Sequence, residues 1–129
     1  MMILTVTSIT ASALTLLFVA LSLRVINMRR SGQGPSVGTN EDEVFLRAVR
    51  SHANFSEYTP LFLILLGLYE VQSGDQYILT GSAVIFILGR LLHAIGFGFL
   101  GTGPWRTLGM VATNSVLITL AFANIFLVI

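Results

Sequence analysis

The 129-residue chain contains no cysteine. Disulfides, thiolate metal ligands and a cysteine nucleophile are thereby excluded, and the redox compartment stays open. Lysine is absent as well, so all seven basic residues are arginine. Charge of either sign is scarce, at 10% of residues, where a soluble domain carries about 25%. A net charge of +1 gives no electrostatic footprint for nucleic acid, and no such partner is expected. His52 and His93 are the two histidines, and no acidic residue stands with them at ligand spacing, so no metal site is expected. There is no Gly-x-Ser-x-Gly with a suitable aspartate, which removes a serine hydrolase. The glycines from Gly96 to Gly103 do not follow a strand; they read as a flexible turn and not as a phosphate loop.

Apolar residues, by contrast, make up 54% of the chain, and the mean hydropathy is +0.85. This composition is that of an integral membrane protein. Four apolar stretches, Ile3 to Ile26, Phe45 to Tyr69, Tyr77 to Phe99 and Leu108 to Val128, are each long enough to cross a hydrocarbon core of ~30 Å as a helix. Little chain is left for a soluble domain. The opening stretch differs from a signal peptide in lacking a basic N-terminal region and in ending on Arg24, so a retained helix is expected. Ser8, Ser12 and Thr15 along it are small enough to admit a neighbouring helix. The polar loop SGQGPSVGTNEDE follows, where Thr39 or Asn40 is expected to cap the second helix and Glu41, Asp42 and Glu43 to favour its dipole.

The second helix, roughly Glu43 to Tyr69, organises the rest. At 100° per residue, Arg47, Arg50, Asn54 and Glu57 fall within about 80° of one another and form one polar stripe, with His52 on roughly the opposite face. Ionisable groups at membrane depth cost a few kcal/mol each and are retained where they face a bundle interior or bind something. Pro60, inside the helix, frees the Ser56 carbonyl and is expected to kink it. On the third helix, Arg90, His93 and Phe97 share a face. The absence of lysine matters here, because arginine offers a planar fork of donors suited to carboxylates and thiolates at low dielectric. A GC-rich genome would account equally for the missing lysines, but not for where the arginines sit. Six of them flank the first and third loops, while the middle loop has only Glu70 and Asp75. The arginine side is therefore expected to be cytoplasmic, with Trp105 and Tyr77 as anchors at opposite interfaces.

These residues resemble the MAPEG family, the membrane-associated proteins in eicosanoid and glutathione metabolism. The signature Arg-x-x-x-Asn-x-x-Glu-Tyr-x-Pro is present as Arg50, Asn54, Glu57, Tyr58 and Pro60. SLRVINMRR and EVFLRAVRSHANFSEYTPLF look like the leukotriene-forming branch, whereas GRLLHAIGF and WRTLGM look closest to small bacterial members. The resemblance implies an all-α integral membrane four-helix bundle assembled as a homotrimer, in a bacterial inner membrane with its first and third loops cytoplasmic. It also implies glutathione bound between neighbouring subunits and a lipophilic substrate entering from the bilayer. Arg50, Asn54, Glu57 and Tyr58 match positions that hold the tripeptide, and Arg30 matches a further contact. Arg90, His93 and Phe97 align with the third-helix stripe, and Arg106 with the arginine that stabilises the thiolate.

The chemistry is consistent with such a ligand: two carboxylates, an ammonium and a thiol call for several arginines, one carboxylate and an amide. Lowering a thiol pKa by two units from about 8.5 takes about 2.7 kcal/mol of preferential thiolate stabilisation. Where eicosanoid enzymes carry tyrosines, this chain has His93 and Phe97, and Met110 falls where the prostaglandin branch has another. The implied function is a glutathione-dependent transferase or peroxidase; the alternative is a non-catalytic lipid-binding or scaffold protein of the same fold. A small multidrug exporter would need a carboxylate in the first helix, which has none.

Overall fold

The computed structural model describes residues 4–101 and 103–129. Among them there are helices and no strands: α1 (Thr5–Arg30), α2 (Glu43–Val71), α3 (Gln76–His93) and α4 (Pro104–Val128), with Ala94–Phe99 continuing α3 as a π-helix. Short connections reverse the chain between successive helices, and the result is the expected all-α membrane bundle. The first expected span begins at Ile3, outside the described residues; α1 starts at Thr5.

The core is built by period. On α2 the buried residues are Phe45, Ala48, Ser51, Phe55, Thr59, Phe62, Leu66 and Tyr69, one face repeating every three to four positions. Phe62 stacks on Phe86 of α3 with ring centroids 3.7 Å apart and planes 4° from parallel, and Leu14, Leu21, Val116 and Leu120 close around them. Outside, Leu16, Ile64, Leu88, Ile118 and Phe126 are exposed, because the solvent for that surface is lipid. By length and composition α1, α3 with its π-helical extension, and α4 can each cross a membrane. α2 is long enough too, but its first half carries Glu43, Arg47, Arg50 and Glu57.

The first turns of α1, α2 and α3 are closed by acids. The Asp42 side chain accepts from the Phe45 N–H at 2.7 Å, so the cap of α2 is Asp42 and not Thr39 or Asn40. Its β-region backbone is what an N-cap requires, since the carboxylate must turn back over the first turn. Asp75 caps α3 in the same way, accepting from Tyr77 and Ile78. The first turn of α1 is capped from another helix: Val6 N–H and Thr7 N–H donate to the two carboxylate oxygens of Glu70, each at 2.8 Å. Glu70 thus ties the end of α2 to the start of α1.

Two further expectations change. Ser8, Ser12 and Thr15 are exposed, and the Ser12 and Thr15 hydroxyls donate back to carbonyls of their own helix, so within the subunit they admit no neighbour. The stretch from Gly96 to Phe99 is not a turn but helical. Packing of this extension against α2 and α4 outweighs the poor helix propensity of its glycines. α2 runs through Pro60 without a break, with the Ser56 hydroxyl bonded to the His52 carbonyl at 3.0 Å.

Candidate functional site

α3 and α4 cross closely where Gly89 faces Gly109. A Cβ on Gly109 would lie 2.6 Å from the Gly89 carbonyl oxygen and 2.8 Å from the His93 nitrogen, so no side chain fits between the backbones. This close approach places Thr113 beside Arg90. The guanidinium, 1% exposed, donates from Nη2 to Thr113 Oγ1 at 2.7 Å and from Nη1 to Asn54 Oδ1 at 2.8 Å. Thr113 in turn donates to the Gly109 carbonyl at 2.8 Å. Arg90 also lies near the rings of Tyr58 and Phe86, at 5.5 and 5.7 Å from their centroids. Its Nε is buried without a hydrogen-bond partner among the described residues.

A buried cation without a carboxylate is costly, and here two neutral oxygens and two aromatic faces offset that cost. The contact also fixes Asn54. Arginine has no acceptor, so the amide oxygen must face it and the amide nitrogen must point the other way. Beyond Arg90, the His93 ring packs against Phe97 with centroids 5.7 Å apart. The Arg106 guanidinium lies over the other part of this aromatic step, 4.6 Å from the Phe97 centroid. Arg106 is itself exposed, in the first turn of α4.

The expected site residues therefore divide. Arg90, Asn54 and Tyr58 come together inside the subunit, and His93 and Arg106 meet separately on the two sides of Phe97. Arg50 and Glu57 are exposed on the outer face of α2. Glu57 stands at the midpoint of α2, and Arg50 is about 10 Å along the axis from it. Arg30, the last residue of α1, is exposed at the same end as Arg50. A pairing of Glu57 with Arg90 does not form; the ion pair among the described residues is Glu43 with Arg47, at 3.2 Å. His52, as its phase requires, turns to α1, where its Nε2 lies 2.8 Å from Ser22 Oγ. On that side, opposite the polar stripe, an apolar groove of about 300 Å³ runs between α1 and α2, lined by Leu14, Phe18, Phe55, Thr59 and Leu63 among others.

Thr113 carries no signal in the sequence, because a threonine in an apolar helix usually bonds its own helix. Glu70 reads in the sequence as the close of the second helix beside the middle loop, and its distance from α1 in the chain gives no hint of the cap.

The chain is 30% identical over 79 residues to the inner membrane protein YecN of Escherichia coli strain K12. The same identity holds for YecN of strain O6:H1 CFT073. The match covers 61% of this chain and 60% of those proteins, so it spans less than two thirds of their length. The family model for MAPEG matches residues 7–126, from the first turn of α1 to the end of α4. With four helices in the bundle, the Arg50, Asn54, Glu57, Tyr58 and Pro60 pattern on the second of them and a match across nearly all the chain, this protein belongs to the MAPEG family.

Proposed function

We propose that the protein is a glutathione-dependent membrane enzyme of the transferase or peroxidase type, working as a homotrimer on a lipophilic substrate that enters from the bilayer. The observation that carries this reading is the exposure of Arg50 and Glu57 on the outer face of a helix packed among apolar spans. Two opposite charges at that depth are costly against lipid. A neighbouring subunit and a zwitterionic ligand would cover them.

The donor set fits the tripeptide. Arg50 and Arg30 offer forks for carboxylates, and Glu57 offers an acceptor for an ammonium. Asn54 contributes the amide nitrogen that Arg90 turns away from itself, and Tyr58 a phenol, while the buried Arg90 acts through the orientation of that amide. His93 supports Phe97, and Phe97 holds the Arg106 guanidinium in place. Arg106 keeps its charge at every relevant pH, and the free N–H groups at the start of α4 add to the positive potential there. What glutathione supplies is its thiol sulfur as nucleophile, which lets a chain without cysteine run thiol chemistry. The name of YecN favours the bacterial inner membrane, and the arginine bias favours cytoplasmic first and third loops.

The second reading, a non-catalytic lipid-binding protein, is favoured by the apolar groove between α1 and α2 and by Phe97, which has no hydroxyl to donate. Thiolate absorption in the far ultraviolet separates the two. A pH titration of the glutathione complex should give a thiol pKa well below about 8.5. In Arg106→Leu it should rise by at least about one unit, or about 1.4 kcal/mol, with His93→Ala shifting it less. A larger shift in the histidine variant would move the charge to α3, and an undepressed pKa in the unaltered protein would favour the lipid-binding reading.

A further inference from the structure

The apolar groove between α1 and α2 is lined by none of the residues assigned to glutathione. Leu14, Phe55 and Thr59 form its buried floor, whereas Thr15, Phe18 and Pro60 at its mouth are exposed. Phe18 is held there by the His52 ring, 4.9 Å away between centroids, and by Phe55, 6.2 Å away. The hydroxyls of Thr15 and Ser56 donate within their own helices, to the carbonyls of Ala11 and His52. The Ser56 carbonyl is different. Its helical donor would be the N–H of residue 60, which is proline. Thr59, the neighbouring hydroxyl, is without a hydrogen-bond partner and so does not replace it. Ser56 and Pro60 both line the groove, so the carbonyl between them opens on it.

A backbone acceptor facing hydrocarbon calls for a donor, and depth, charge and volume decide which kind. Ser56 sits in the middle third of α2, with about 20 Å of helix on either side of it. The headgroup of a membrane phospholipid stays at the interface, and its acyl chains carry no donor. No ionisable residue lines the groove among the described residues, so a charge on the ligand would go unbalanced. The volume of about 300 Å³ is roughly twice that of an apolar cavity that takes a benzene ring, which leaves room for about a dozen heavy atoms. Mostly apolar walls with one placed polar group are the usual make-up of a small-molecule site.

We propose that the groove between α1 and α2 binds an uncharged lipophilic alcohol of about a dozen heavy atoms, whose hydroxyl donates to the Ser56 carbonyl that Pro60 leaves open. The carbonyl selects a hydroxyl over an ether, ester or ketone, because those groups accept and cannot donate. Leu14, Phe18, Phe55 and Leu63 give the alkyl part its apolar walls. The groove lies opposite the polar stripe of α2, so the alcohol is a bound ligand and not a partner for a thiol held at Arg50 and Glu57. The site therefore stands or falls independently of the glutathione reading.

The test compares decanol with decyl methyl ether, which keeps the chain and the oxygen but has no donor. Each is titrated into the protein in phospholipid nanodiscs without glutathione, and the methyl resonances of Ala11 and Leu63 are followed by NMR. Decanol should shift them saturably, and the ether should need about tenfold more for the same effect, the equivalent of about 1.4 kcal/mol. Pro60→Ala gives the Ser56 carbonyl its helical donor and removes a helix-breaking residue, so the fold should be retained. In this variant decanol should fall to the level of the ether, with the ether unchanged. Ala11→Phe, which fills the groove, should remove the Leu63 shift with both probes. The proposal is overturned if the two probes bind equally, since water or a neighbouring residue would then satisfy the carbonyl, or if Pro60→Ala keeps the preference. Shifts that grow without saturation would mean partitioning into the bilayer, and no shift with either probe would mean that another subunit fills the groove; both results also overturn it.

Discussion

Arg90 shows how a single residue can take a different part from the one its neighbours in sequence suggest. Its helical phase puts it on a face with His93 and Phe97, and that much is legible because 3.6-residue periodicity is a local property. Its partners are not legible, since Asn54 and Thr113 lie 36 and 23 positions away and meet it only where α3 and α4 close on each other. The guanidinium holds Asn54 in one orientation, so its effect on the candidate site is exerted through that amide. Thr113→Val should leave Nη2 with the weak Met110 sulfur acceptor, 3.5 Å away, in place of the hydroxyl, and cost about 1.5–3 kcal/mol, read as a lower thermal midpoint in detergent. Thr113→Ser, which keeps the oxygen, should recover most of that loss. If valine is tolerated as well as serine, the buried cation draws its stabilisation from the aromatic faces instead.

Among the elements, α2 is the most readable, because its buried residues recur at helical spacing and its charges fall on the remaining faces. Even so, Arg47, Arg50, Asn54 and Glu57 do not act as one stripe. Arg47 and Asn54 are half-buried against neighbouring elements, whereas Arg50 and Glu57 face outward. A phase spread of about 80° was enough to divide them, since a helix packed on three sides has only a narrow free face. The π-helical end of α3 is illegible for a different reason: local propensity favours a turn there, and only contacts with α2 and α4 make it helical. Two predictions belong to this scale. Gly109→Ala must push the α4 backbone away from Gly89 and His93, costing about 1–3 kcal/mol or more, and it should disturb the Arg90 contact with Thr113 as well. Glu70→Ala should uncap α1 at a cost of about 1 kcal/mol, seen as exchange of the Val6 and Thr7 amides about fivefold faster with the midpoint of the bundle nearly unchanged. Unchanged exchange would mean that water satisfies those two donors equally well.

For the whole molecule, the bundle buries a conventional apolar core and leaves a cation and an anion on its outer face. Within the subunit neither Arg50 nor Glu57 has an ion-pair partner among the described residues. Assembly is the economical answer, and sedimentation in density-matched detergent should give a trimer at micromolar concentration; a monomer would leave the two charges to lipid. The membrane class and the four-helix layout were legible from composition and run length, because bilayer thickness constrains both. The ligand was not, because the outer surface of one subunit does not reveal what lies against it. Calorimetric titration of glutathione into the detergent-purified protein, beside Glu57→Gln, addresses this directly. The expected result is saturable binding of one glutathione per subunit, weakened at least about tenfold in the variant, equivalent to about 1.4 kcal/mol, with the thermal midpoint unchanged. Absence of saturable heat, or a Glu57→Gln protein that binds normally or loses its fold, would contradict it.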